Sequence, residues 1–418
     1  MMEVQRPIYL QKLVNRKHNG MIKIITGMRR CGKSYLLFRL FYNHLLENGV
    51  PDTQIIQVDL EDFYNESLRD PLTLLNHIKQ RITDKNLYFV LIDEVQRLNR
   101  FEEVLNTLLK NPQLDVYVTG SNARFLSKDV ITTFRGRGDE VRIHPLSFRE
   151  FLSVKPKETF IENYLNEYMY LGGLPQLITM PDEEQKKEYL RQIFTNTYLI
   201  DIKDRHNIRN DSDLEELIDI LSSSIGCLTN PLKIQNTFKT IKKSNITVNT
   251  IKNYLDYMQD AFLLERAVRY DIKGRRYIDT PQKYYFEDLG LRNARLNFRQ
   301  TEPTHLMENL IFNELRLRDY SVDVGQVTIN TRNKKGVSER KNLEVDFVCN
   351  KGYDRVYIQS AYALPTLEKQ EQELASLNYI DDSFQKVIIV GGQQPTYRNE
   401  KGILILNLFD FLLDKVAI

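Results

Sequence analysis

The chain lacks most of what would place it outside a cell or across a membrane. It has only 3 Cys in 418 residues, at 31, 227 and 349. That odd number, at those wide spacings, makes neither a disulfide framework nor a zinc site. So few thiols fit a reducing cytoplasm. No apolar run approaches the roughly 20 residues that span a bilayer, and the opening residues lack the apolar centre of a signal peptide. The expectation is a cytoplasmic protein with no membrane partner. An excess of charge of one sign is also missing. Lys and Arg number 58 against 56 Asp and Glu, a net charge of +2, so any basic surface must be local. Internal repeats and low-complexity tracts are absent. What is present, 42% hydrophobic and 27% charged residues, matches a soluble globular chain long enough for two or three domains.

Residues 21–145 alternate short apolar runs with helical patterns. MIKIIT (21–26), QIIQVDL (54–60), LYFVLID (87–93), LDVYVTG (114–120) and EVRIHPL (140–146) read as strands. Apolar strands alternating with helices predict an α/β fold whose parallel sheet is covered on both faces. Between the first strand and the helical pattern SYLLFRLFYNHLLENG stands GMRRCGKS: Gly27, Met28, Arg29, Arg30, Cys31, Gly32, Lys33 and Ser34, followed by Tyr35. GxxxxGK[ST] in that setting is a phosphate-binding loop. Its glycines let backbone N–H groups face phosphate oxygens, Lys33 reaches the terminal phosphates and Ser34 ligates Mg²⁺. Cys31 reads as a small side chain within the loop, with redox sensitivity the less favoured reading.

The strand LYFVLID delivers Asp93 and Glu94 to the same edge. Asp93 is expected to hold Mg²⁺ through water, and Glu94 to orient or deprotonate the attacking water. No N-K-x-D loop for guanine occurs, so ATP is the expected nucleotide. Ser121 and Asn122 follow the next strand, where a polar group can sense the γ-phosphate. Arg135 and Arg137 precede the fifth strand, where an arginine can project into a neighbouring subunit's site.

These pieces together resemble the AAA+ branch of P-loop ATPases. They are closer still to predicted prokaryotic, STAND-like ATPases with a C-terminal DUF4143 domain. ITGMRRCGKS, VLIDEVQ, VTGSNARFLS, FRGRGDEVRIHPLSFREF, GGLP, KYYFEDLGLRNA and EVDF carry the likeness in order along nearly the whole chain. The resemblance implies that Arg137, ahead of Arg135, is the arginine finger. It also implies that Gly173-Leu174-Pro175 is a lid motif whose Pro175 packs near adenine and couples lid angle to nucleotide state. A homo-oligomer is an option in such families, not a requirement.

Beyond 146 the expected order is a helical lid (147–210), a winged-helix region (211–301) and a C-terminal α/β domain (302–418), the P-loop core being 1–146. Asn230 before Pro231, and Thr247 before the next helical pattern, are helix N-caps. The hairpin pattern around Lys273-Gly274-Arg275 is the wing. Residues 265–299 carry nine basic side chains with interleaved tyrosines, a candidate DNA contact. A winged helix would present Asn249, Thr250, Lys252 and Asn253 to a groove. The last region's order resembles the restriction-endonuclease-like fold. Glu308, Asp346 and Gln359 take its metal-binding positions, but Ala361 stands where its lysine belongs, so a degenerate nuclease is expected. Three outputs stay open: an ATPase acting on DNA, a nucleotide switch holding a protein partner, and an ATP-gated Mg²⁺ nuclease.

Overall fold

The structure, a computed structural model, describes residues 4–120, 136–156, 160–208, 211–332 and 338–418. It divides into two compact units. The first comprises Met1–Leu146 with Leu174–Thr179 and Asp260–Phe262; the second comprises Ser147–Gly173, Met180–Gln259 and Leu263–Ile418. Among the described residues no helix is long and apolar enough to cross a membrane.

The first unit is built on five strands: β1 (Ile22–Thr26), β2 (Ile55–Asp59), β3 (Tyr88–Asp93), β4 (Leu114–Thr119) and β5 (Gly138–Arg142). They are parallel and lie in the order β2-β3-β4-β1-β5. Every residue of β1 and of β3 is buried, as expected of central strands covered on both faces. Four of the five expected strands match within a residue or two. The fifth starts two residues early and stops at Arg142, because 143–146 leave the sheet to pass behind the phosphate loop. The helices Pro71–Arg81 and Phe101–Leu109 connect the strands on the β2 side. Asp70 starts the first of these by accepting the Thr73 N–H at 2.9 Å, with Pro71 at the first helical position. Lys23 is wholly buried on β1 and ion-paired to Asp115 on β4.

The second unit begins with helices. Ser147 and Glu150 cap the helix Phe148–Ser153 reciprocally. Helices Ile161–Leu171, Glu183–Ile193, Asp211–Ser223, Pro231–Thr237 and Val248–Asp260 follow. The expected caps form: Asn230 accepts the Leu232 N–H at 2.9 Å, and Thr247 accepts that of Thr250 at 3.1 Å. Eight strands then make one sheet: β6 (Leu264–Asp271), β7 (Arg276–Phe286), β8 (Ser321–Arg332), β9 (Ser338–Lys351), β10 (Asp354–Ala361), β11 (Gln385–Val390), β12 (Tyr397–Arg398) and β13 (Leu404–Asn407). Their order is β12-β13-β11-β10-β9-β8-β6-β7. The expected C-terminal series of helix (Pro303–Leu317), three strands, helix (Leu367–Asn378) and further strands is therefore present.

One expected boundary is not. The hairpin β6–β7, read as a wing, joins the C-terminal strands: Arg269, Tyr270 and Asp271 pair in parallel with Val324, Gly325 and Gln326. An unpaired strand edge exposes a row of N–H and C=O groups, and β8 satisfies those of β6. Sequence could not show this, because the pairing spans more than fifty residues.

Asp288 ties two motifs together. Its buried carboxylate accepts the Gly173 N–H at 2.7 Å and the Leu291 N–H at 3.0 Å, and burial raises its pKa to about 6. A Cβ at Gly172, whose φ is +79°, would lie 2.3 Å from Asp288 Oδ1; one at Gly290 would lie 1.9 Å from Leu171 O. Gly172 of LGGLP and Gly290 of EDLGL are thus required by close approach. One residue past Gly173 the chain passes into the first unit.

Candidate functional site

β1, β2, β3 and β4 end side by side at Thr26, Asp59, Asp93 and Thr119, with Asp59 opposite Asp93 and Ile25 opposite Thr119. In a parallel sheet the carboxyl edge is where ligands bind. The loop 27–32 leaves β1 there and enters a helix that runs from Lys33 to Glu47, with a π-helical stretch at Leu36–Phe41. Gly27 has φ +140°, and a Cβ on it would lie 2.2 Å from Ile143 O, so only glycine fits. Met28 and Cys31 are wholly buried. Cys31 is therefore a packing residue here, as the sequence reading favoured. Arg29 is half-buried, and Arg30, Ser34 and Tyr35 are exposed. The Lys33 side chain is buried and its ammonium donates to Gly27 O at 3.1 Å and Met28 O at 2.9 Å.

Asp93 is 2% exposed. Burial raises its pKa to about 6, against the lowering effect of hydrogen bonds from Thr119 and Ser34; the charges of Glu94 and Asp59 push the same way as burial. Glu94 adopts φ +49° and ψ +49°, a left-handed conformation rare for a side chain with a Cβ. That turn lets its N–H donate to Thr119 Oγ1 at 2.9 Å, while its carboxylate accepts from Gln96. The phosphate loop's lysine, both acidic residues and Ser34 therefore meet at one edge.

Thr119, which the sequence reading passed over, bridges Asp93 and Glu94. Its position as the last side chain before the glycine of LDVYVTG was the available signal. The residues proposed for that role, Ser121 and Asn122, lie outside the described residues, as does Arg135. Arg6 was also missed. Buried at 2% exposure, it donates to Cys31 O at 2.9 Å, His144 O at 2.8 Å and Pro145 O at 3.3 Å, bracing the loop from behind. A Cβ at Gly32 would lie 3.7 Å from Pro175 Cγ and 3.8 Å from Arg6 Nη1, so Pro175 flanks the loop. Arg137 stands elsewhere. Its carbonyl accepts the Ile22 N–H at the start of β1, about 13 Å of strand from the loop at ~3.3 Å per residue. It cannot reach the phosphates of its own site.

In the second unit Glu308, Asp346 and Gln359 do converge. Asp346 accepts the Ser360 N–H at 2.8 Å, and its own N–H lies 3.4 Å from Gln359 Oε1. Between the carboxylates sits Lys283, 2.9 Å from Glu308, 2.7 Å from Glu344 and 3.7 Å from Asp346. Ala361 is buried in the sheet. Of the nine basic residues at 265–299, Lys283 and Arg292 are buried and Arg295 is paired to Asp219 at 2.5 Å. Arg266, Lys273, Arg275, Arg276 and Arg299 are exposed, as are Asn249, Lys252 and Asn253.

A parallel five-stranded sheet with this loop and acidic edge makes the first unit a P-loop fold, and residues 19–152 match the family described as an AAA domain. The chain belongs to one family with an uncharacterized protein of Haemophilus influenzae, 32% identical over 415 residues and covering 98% of each chain. It is 29% identical over 418 residues to an uncharacterized protein of Methanocaldococcus jannaschii, covering 92% of this chain and 87% of that one. Residues 162–302 match a domain of unknown function, DUF8612, where the resemblance implied DUF4143. Among solved structures, the Aeropyrum pernix ORC1 protein in complex with DNA is similar at 11% identity and a TM-score of 0.30, over 71% of this chain and 93% of that one. C. elegans PCH-2 is similar at 15% identity and a TM-score of 0.26, over 60% and 62%. Likenesses this loose add nothing to the assignment.

Proposed function

We propose that this protein is an ATPase whose first unit binds ATP with Mg²⁺ and whose second unit responds to the nucleotide's state. The observation that carries the reading is the meeting of Lys33, Ser34, Asp93 and Glu94 at one sheet edge, with Thr119 between the acidic pair. The residues fit a magnesium nucleotide. Asp93 is a buried carboxylate with a raised pKa, the condition a cation relieves. Lys33 is held over the loop by carbonyls that compete poorly with phosphate oxygens. Ser34 and Asp93 would hold the metal, which supplies charge neutralisation at the phosphates. Backbone N–H groups of 27–33 cradle the phosphates, with Tyr35 just beyond. Glu94 takes the proton of the attacking water, and Thr119 and Gln96 hold Glu94 in place. Ser121 and Asn122 follow β4 in the sequence and are proposed to line the γ-phosphate. Arg137, exposed and level with the start of β1, is proposed to complete a neighbouring copy's site.

Pro175 beside the loop and Gly173 on Asp288 are two residues apart in the chain. A nucleotide that displaces Pro175 pulls on an anchored segment, and this supports lid-to-nucleotide coupling. DNA is the first proposed partner, through the exposed basic side chains of the hairpin and the helix Val248–Asp260 in a winged-helix arrangement. A protein partner is the second, favoured by the inward use of Lys283, Arg292 and Arg295. The test is phosphate release with and without duplex DNA across a salt series, for wild type, Lys33→Ala and Glu94→Gln. Both variants are expected to lose turnover, and DNA stimulation that fades with salt supports the first partner. Undiminished turnover in Lys33→Ala would overturn the whole reading.

A further inference from the structure

The acidic cluster of the second unit has the carboxylates of a divalent-metal centre but not the space for one. Glu308 comes from the helix Pro303–Leu317, and Glu344 and Asp346 from β9. The Lys283 ammonium, on β7, stands 2.9 Å, 2.7 Å and 3.7 Å from them in turn. An ammonium has three N–H donors, and three carboxylates surround it. Lys283 is 3% exposed, Glu308 8% and Asp346 7%. Two further donors reach the buried carboxylates, while the Glu344 side chain is 37% exposed. Tyr285 Oη donates to Glu308 Oε1 at 2.7 Å, and the Ser360 N–H donates to Asp346 Oδ2 at 2.8 Å.

A magnesium ion needs near-octahedral oxygen at about 2.0–2.1 Å and keeps several waters. Neither is accommodated. A Cβ at Gly226 would already lie 3.0 Å from Glu308 Oε1, so backbone closes that side. Burial and the Glu308 charge raise the Asp346 pKa to about 8 even with Lys283 opposing them, as expected where one cation serves three carboxylates. No group of three or more His, Cys, Asp or Glu among the described residues is arranged to hold a metal.

We propose that Lys283 is a built-in cation occupying the place a divalent metal would need, so that this cluster is a fixed-charge clamp and not a nuclease centre. The clamp has a mechanical object. In the sheet β7 is separated from β9 by β6 and β8, and the hairpin pairs with β8 only at Arg269–Asp271. Its other end, where Lys283 faces Ala267, is unpaired with β8. Lys283 fastens that end to β9 and the helix. Asn309 adds to this by accepting the Phe286 N–H and donating to the Phe286 carbonyl, both at 2.8 Å. The lysine that a nuclease would carry on β10 is thus not restored here: this ammonium is held by Glu308 at 2.9 Å and Glu344 at 2.7 Å, with Asp346 at 3.7 Å, and comes from β7.

The test is Mn²⁺ binding to the nucleotide-free full chain, by electron paramagnetic resonance and by the metal-induced shift in Tm. It compares wild type, Asp346→Asn, Lys283→Ala and Lys283→Ala with Asp346→Asn. Wild type and Asp346→Asn should show the same Mn²⁺ response, whatever the first unit contributes. Lys283→Ala should gain a site at least about tenfold tighter than any in wild type, and lose it when Asp346→Asn is added. A wild-type Mn²⁺ site or Mg²⁺-dependent DNA cleavage abolished by Asp346→Asn overturns the proposal. So does a folded Lys283→Ala chain that gains no metal. Should Lys283→Ala fail to fold, the wild-type and Asp346→Asn pair still decides: equal responses support the proposal and unequal ones sink it.

Discussion

Asp93→Asn should make the nucleotide-free protein more stable while stopping turnover. Asp93 is 2% exposed with its pKa raised from 3.8 to about 6. Because the folded pKa is the higher one, the folded state holds a proton that the unfolded state releases. Stability therefore falls as pH rises from 3.8 toward 6, and the deficit is complete above that window. The shift of about two units corresponds to roughly 3 kcal/mol at about 1.4 kcal/mol per unit. Asparagine has no such deficit. Its carbonyl oxygen still accepts from Thr119, but its amide needs an acceptor, so the expected gain at pH 8 is about 1–3 kcal/mol. Linkage predicts that the gain drops to about half by pH 5 and nearly vanishes near pH 4. Urea denaturation of wild type and variant at pH 8 and pH 5 measures it directly. In a thermal scan each kcal/mol appears as about 2–4 °C for a unit of this size. Phosphate release from ATP should be absent in the variant. A variant less stable than wild type at pH 8, or one whose advantage does not change with pH, refutes the argument from burial.

Further outcomes follow from packing and placement. Lys23→Met should destabilise the first unit by about 3–5 kcal/mol by stranding the buried Asp115 carboxylate, and adding Asp115→Leu should recover most of the loss, as read by urea denaturation. Gly290→Ala should destabilise or unfold the second unit, since its Cβ would meet Leu171 O at 1.9 Å; Gly352→Ala, with nothing within 4 Å, should lose only the cost of its φ of +60°, about 1 kcal/mol. Mixing inactive Lys33→Ala with inactive Arg137→Ala should restore part of the ATPase rate if Arg137 serves a neighbouring copy; no recovery at any ratio removes that role.

Much of the first unit was legible because its signals are local. Strand burial shows as apolar runs, the phosphate loop as a glycine spacing, and the acidic edge as the end of β3. Thr119 and Gln96 fell out of view because a hydroxyl or amide near a strand end has no signature until its neighbour is known. Arg6 was illegible for a stronger reason, since its partners are backbone carbonyls, which any sequence supplies. In the second unit the order of elements was readable from 303 onward, but not that β6 and β7 belong to the same sheet.

The sequence alone determined that this chain has a nucleotide-type loop on a covered parallel sheet, because chain-neighbour geometry imposes those residue types. It also showed that the β10 lysine is missing. Only the tertiary structure decided what that absence means. Lys283 reaches Glu308, Glu344 and Asp346 through contacts between residues 25 to 63 positions apart, and an ion pair depends on where side chains meet in space. The same reason separates Arg137 from its own phosphates and joins Asp288 to Gly173.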